Sequence, residues 1–145
     1  AETCAAQSAA FLRVAALVPR LTVEVARIEK TAAALTKIEI RVANAGYLGT
    51  CGLPSARKLP HAEPLRLTAK ATGAKLVAPA EAIVEIGHLD GWGSGLHNGA
   101  SIFMPWTRGN PHEKFVTIVA EGKGKVAVKV GSCRVGYKTV EVEIG

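Results

Sequence analysis

Three observations predict a mainly β domain, an antiparallel sandwich of about eight strands behind one N-terminal helix. Short runs of Val, Ile and Leu alternate with polar residues at period two along most of the chain. Turn residues separate these runs, and none of the intervening segments has the length and patterning of a crossover helix. Aromatics are only 5% of the residues while hydrophobics reach 48%, so the core must be built from aliphatic side chains.

Residues 2–18 read as the helix. Ala, Leu and Gln favour that state, and neither Gly nor Pro interrupts before Pro19. Phe11, Val14, Ala15 and Val18 recur at helical spacing and form one apolar stripe. Pro19 lacks an N–H and crowds the preceding turn, so the helix stops there. Residues 19–145 are then the sandwich domain. Its expected strands are 21–28, 38–42, 65–69, 82–86, 100–104, 115–120, 126–130 and 140–144, with a turn at 31–34 after the first. Glu121-Gly122-Lys123-Gly124 reads as a hairpin turn between the sixth and seventh, because its glycines permit positive φ. Eight short strands in this rhythm suit an immunoglobulin-like arrangement. Two stretches stay irregular: 44–64, with Pro54, Pro60 and Pro64, and 87–99, with five glycines. Long connections on a rigid scaffold are where binding is expected. Neither an internal repeat nor a low-complexity linker is visible.

At 145 residues the chain suits one domain with its own core. The net charge of +6 is spread along strand-like runs and lacks a recognition motif, which argues against a nucleic-acid partner. The most apolar run, 9–18, is too short to span a bilayer and carries Arg13, and it does not resemble a signal peptide. A chain that begins at Ala1 is expected to be a processed or excised piece of something longer. Cys4, Cys51 and Cys133 lack C-x-x-C spacing, so a thiolate zinc site is not indicated. A Cys51–Cys133 bridge could form in an exported protein; buried unpaired thiols are the plainer expectation.

The motifs of catalysis are missing. His112-Glu113 opens an H-E-x-x-H pattern, but Val116 stands where the second His belongs. An H-x-x-E pair would need Glu at 64, 91, 100 or 115, and these are Pro, Gly, Ala and Phe. G-x-S-x-G is absent around Ser94, Ser101 and Ser132, so no nucleophile elbow is presented. Gly91-Trp92-Gly93-Ser94-Gly95 lacks dinucleotide-binding spacing and a following helix. No cofactor is expected, and His61, His88, His97 and His112 are expected to be solvated or hydrogen-bonded.

The most distinctive stretch is 88–99. One reading makes Trp92 an exposed platform for a sugar ring or another chain, with His88, Asp90 and Asn98 as polar partners. Trp106, between Pro105 and Thr107, could add a second aromatic contact. The other reading, which we favour from sequence alone, folds this loop over one end of the sandwich so that Trp92 plugs the core.

Four segments carry a family resemblance: Phe11-Leu-Arg-Val-Ala-Ala-Leu-Val-Pro-Arg-Leu21, Arg41-Val-Ala-Asn-Ala-Gly-Tyr-Leu-Gly-Thr50, Gly87-His-Leu-Asp-Gly-Trp-Gly-Ser-Gly95 and Val130-Gly-Ser-Cys-Arg-Val-Gly-Tyr137. Together they resemble the region after the catalytic domain of bacterial zinc carboxypeptidases of the carboxypeptidase A type. The resemblance implies a parent enzyme that removes C-terminal residues from peptides with zinc. It also implies that the ligands and catalytic glutamate lie in a preceding domain, and that this chain is a non-catalytic accessory or interaction domain. Its partner would be that catalytic domain or another protein chain, and an extracytoplasmic or secreted location is expected. The alternative is a module that binds glycan, cell-wall polymer or peptide through the Gly/Trp-rich loop.

Overall fold

A computed structural model of the protein describes residues 2–31, 34–51, 54–81, 83–93 and 112–145. The expected strand at 100–104, together with Asn98 and Trp106, lies outside them.

Helix α1 spans Glu2–Ala15. Beyond it the Ala16 N–H reaches the Leu12 carbonyl (2.9 Å) and the Leu17 N–H the Val14 carbonyl (3.0 Å). The second bond closes a tighter turn, and the chain then leaves at Pro19. The helix is therefore three residues shorter than expected. Its expected stripe is not covered by the sandwich: Phe11 is 72% exposed and Val14 64%.

The rest is mainly β, as expected. Strands β1 (Leu21–Lys30), β2 (Leu35–Asn44), β3 (Leu65–Ala78), β4 (Ile83–Gly87), β5 (Glu113–Ser132) and β6 (Gly136–Ile144) are joined entirely by antiparallel pairings. A short 3-10 helix, Pro54–Lys58, lies in the connection between β2 and β3. Burial follows the sequence alternation. In β2, Ile38, Ile40 and Val42 are buried while Lys37, Glu39 and Arg41 are half-exposed.

Seven of the eight expected strands fall among the described residues, and there they form six. The sixth and seventh expected strands are one 20-residue strand, β5. The Glu121–Gly124 stretch is a bend within it, not a hairpin turn. Up to Glu121, β5 pairs with β2, in register Ile38↔Ile118 and Ile40↔Val116. From Gly124 onward it pairs with β6, in register Val126↔Val142. Strand β3 follows the other edge of β5 past the bend, from Arg66↔Gly131 to Ala78↔Val119, with a register shift opposite Gly122 and Gly124. A bulge of this kind strengthens the local twist and turns a strand. The bend thus lets β5 serve two layers, pairing with β2 before it and with β6 after it, while β3 runs along both halves.

Between the layers sits a core that is wholly aliphatic among the described residues. It is formed by Ile38, Ile40, Val42, Leu65, Leu67, Ile118, Val126, Val128, Val130 and Val142, closed at one end by Ile86 and Leu89. On the outer face of the first layer the Arg41 guanidinium bridges Glu113 (2.6 Å) and Glu24 (3.3 Å), tying β1, β2 and β5 together.

Candidate functional site

The end of the sandwich where Leu89 closes the core gathers the residues singled out in the sequence. Three backbone segments meet there: 17–20 after α1, 44–50 after β2, and 88–93 after β4. The Leu48 N–H donates to the Leu17 carbonyl (3.0 Å), and the Ala45 N–H to the Arg20 carbonyl (2.8 Å). The Trp92 N–H donates to the Gly46 carbonyl (3.2 Å), and the Gly93 N–H to the Tyr47 carbonyl (3.1 Å). Thr50 and Leu89 exchange main-chain and hydroxyl hydrogen bonds of 2.8–3.2 Å.

Asn44 locks this junction. Its buried Oδ1 accepts from the Arg20 N–H (2.9 Å) and the Gly46 N–H (3.0 Å). Its Nδ2 donates to the carbonyls of Leu48 (2.8 Å) and Asp90 (3.3 Å). One amide therefore uses its full capacity of two donors and two accepted bonds, and it touches all three segments. Asn44 opens the Asn-Ala-Gly-Tyr-Leu run within the 41–50 stretch that carries the family resemblance, but the sequence assigned it no place in the site. The available signal was a short polar residue ending a strand just before Ala-Gly-Tyr.

Trp92 does not plug the core, which corrects the favoured expectation. Its indole is 64% exposed and stands edge-on to the Tyr47 ring, with centroids 4.5 Å apart and planes at 84°. Leu89 takes the buried place instead. The flanking glycines serve Tyr47, not the indole. A Cβ on Gly91 would run into the Tyr47 carbonyl, and one on Gly93 would come within 2.6 Å of the Tyr47 ring. Tyr47, like Asn44, belongs to the run that carries the resemblance, and its contact with this loop was not foreseen.

Asp90 is not a vacant acceptor. Its carboxylate is paired with Arg57 on the 3-10 helix. His88 is half-buried, and its Nδ1 is enclosed without a hydrogen-bond partner among the described residues. Burial pushes its pKa below the ordinary 6.5, and the positive charges of Arg57 and Arg134 push the same way against Glu85 and Asp90. Protonation therefore favours the unfolded chain. The stabilisation is fully present above about pH 6.5 and is lost as pH falls from there through the lower folded value. We expect melting temperature to fall between pH 7.5 and 5.5 by less in a His88→Gln variant than in the wild type. Parallel curves for the two proteins would contradict this.

The structure thus brings His88, Asp90 and Trp92 together on one loop, while Asn98 and Trp106 lie outside the described residues. Among the described residues no three His, Cys, Asp or Glu side chains cluster as metal ligands would, and no helix is long and apolar enough to cross a membrane. The cysteines form no disulfide: Cys51 is buried, and Cys4 and Cys133 are exposed. Cys133 lies against Glu63, whose hydrogen bond raises the thiol pKa and so disfavours the reactive thiolate. The chemistry this end offers is that of a surface: a flat aromatic, aliphatic neighbours and basic side chains on a rigid hydrogen-bonded base.

Among known proteins, a family model described as "Domain of unknown function (DUF8731)" matches residues 20–143. No curated protein and no solved structure matches the chain.

Proposed function

Because the chain belongs to the DUF8731 family, with the match spanning the sandwich and leaving α1 outside, we propose a function for the whole unit of helix and sandwich. It is a non-catalytic accessory domain that packs on and steadies a zinc carboxypeptidase catalytic domain outside the cytoplasm. The observation that supports this reading is the convergence of segments that are far apart in sequence. Three of the four stretches that resemble the carboxypeptidase appendage (11–21, 41–50 and 87–95) include the residues joined through Asn44 at one end of the sandwich. A fold that held these stretches only for its own core would bury their apolar side chains. Here Phe11, Leu48 and Trp92 face outward.

The test has two arms. The purified chain is expected to hold no stoichiometric zinc and to leave the C-terminus of a peptide untrimmed; zinc with trimming would overturn the proposal. Added in about hundredfold excess over its dissociation constant, it should raise the melting temperature of a bacterial carboxypeptidase A-type catalytic domain by on the order of 5 °C. An unchanged melting temperature would count equally against it.

The exposure of Trp92 favours one second reading, a module that binds glycan or cell-wall polymer by stacking a sugar on the indole. That reading requires retention of the wild type on an insoluble polysaccharide and its loss in Trp92→Ala. Equal retention of a folded Trp92→Ala protein would remove it.

A further inference from the structure

Among the described residues, His88 Nδ1 is the only enclosed side-chain polar atom without a hydrogen-bond partner. It sits at the root of a segment that hydrogen bonds otherwise hold down. The Leu89 N–H donates to the Thr50 hydroxyl (2.9 Å), the Trp92 N–H to the Gly46 carbonyl (3.2 Å) and the Gly93 N–H to the Tyr47 carbonyl (3.1 Å). Leu89 is wholly buried, and Asp90 is paired with Arg57. We propose that His88 is an acid-sensitive latch. On taking up a proton it raises the population of a state in which residues 88–93, with Trp92, have come away from the end of the sandwich while both layers stay folded.

A neutral imidazole needs one N–H, and the half-buried ring can carry it on Nε2, which leaves only a lone pair at Nδ1. The imidazolium has a proton on both nitrogens, so a charged donor would stand at Nδ1 with nothing to accept it. Charged groups from four segments act on the ring: Arg57 of the 3-10 helix, Arg134 of the turn between β5 and β6, Glu85 of β4 and Asp90 of its own segment. The two carboxylates favour the cation, but desolvation and the two arginines outweigh them, and Asp90 is engaged by Arg57. Release of the segment gives both nitrogens water. Upstream the release has a natural limit. Gly87 pairs with Leu65 and takes φ 87°, a pivot open to glycine, and the Lys114 ammonium holds the Ile86 carbonyl (2.6 Å) just before it. Strand β4 therefore stays in its sheet when the segment beyond it opens. Three broken amide hydrogen bonds and an exposed Leu89 keep the open state minor at neutral pH. The open state also bounds the effect. With an ordinary pKa of about 6.5 there, the open population can rise about tenfold by pH 5.5 if the enclosed ring stays neutral, and by less if it protonates in place.

The test is amide hydrogen exchange on the full chain, followed by NMR between pH 7.5 and 5.5 and corrected for the intrinsic pH dependence of exchange. The N–H groups of Leu89, Trp92 and Gly93 should exchange faster than those of Ile40 and Val128 in the central strands. Low urea should accelerate the core amides but not the segment, because a local opening exposes little surface. Acid should raise the segment's opening several-fold, with about tenfold as the ceiling at pH 5.5, and His88→Gln should abolish the rise. Arg134→Gln keeps the proposal open to refutation should His88→Gln fail to fold. Removing that charge brings the closed-state pKa back up, so its acid response should be smaller than that of the wild type. A segment that responds to urea as the core does opens only with the whole domain, and the latch is then overturned. Local opening with no acid response overturns it equally, as does a response of wild-type size in His88→Gln or a larger one in Arg134→Gln.

Discussion

Replacing Asn44 with Ala should destabilise the fold by about 3 kcal/mol and lower its melting temperature by about 10 °C. The magnitude follows from what the substitution strands. The N–H groups of Arg20 and Gly46 lose their acceptor, and the carbonyls of Leu48 and Asp90 lose a donor. A buried polar group left unpaired costs about 1–3 kcal/mol, and water can enter to rescue some of the four. Asn44→Asp separates donors from acceptors. It keeps the acceptor for Arg20 and Gly46 but turns a second oxygen toward two carbonyls, so it should be no more stable than Asn44→Ala at pH 7. If Asn44→Asp retained wild-type stability, the two donated bonds would be dispensable and the junction would rest on Oδ1 alone. Both variants should also loosen the 88–93 loop, so Trp92 fluorescence, read in a Trp106→Phe background, should shift well before the core melts.

The layers of this fold were legible because alternation is a local property. Ile38, Ile40 and Val42 sit two apart in sequence, so their common face could be read without knowing what covers it. The continuity of β5 was not legible. Glu121-Gly122-Lys123-Gly124 permits either a hairpin or a bend, and the choice is made by β3, whose residues 72–78 lie more than 40 positions away and pair across the bend. Helix α1 was readable from composition. The exposure of its stripe was not, because exposure depends on what packs nearby, and the sandwich does not cover it.

The same division runs through the candidate site. That 88–93 would be special was evident from its glycines. Their purpose was misread because the partner that demands them, Tyr47, comes from a different connection. Once Tyr47 occupies the space between those two glycines, the indole has no route inward, and Leu89 fills the core position that had been assigned to Trp92. Asp90 likewise looked available for a ligand until Arg57 arrived from the 3-10 helix. A chain of this kind announces its strands locally and its surface chemistry only through contacts made across the fold.

The bend in β5 yields the second large effect. A Cβ on Gly124 would be driven into the Thr72 carbonyl and would lie 3.0 Å from the Ala74 nitrogen, both of them main chain of the neighbouring strand. Backbone in the middle of a paired ladder cannot step aside as the tip of a flexible side chain can. Gly124 also adopts φ 155°, so Gly124→Ala should cost about 2–3 kcal/mol through displacement of β3 together with backbone strain. Gly122 provides an internal comparison. It adopts φ 94°, which L side chains rarely take, yet a Cβ there would meet only the Ala74 Cα at 3.9 Å. Gly122→Ala should lose about 1 kcal/mol from backbone strain alone. Urea denaturation of the two variants gives the order directly, with Gly124→Ala expected to have the lower midpoint. Both glycines sit at positive φ, so the reverse order would mean that β3 can shift away at Thr72 and that close approach at Gly124 is not what holds the bend.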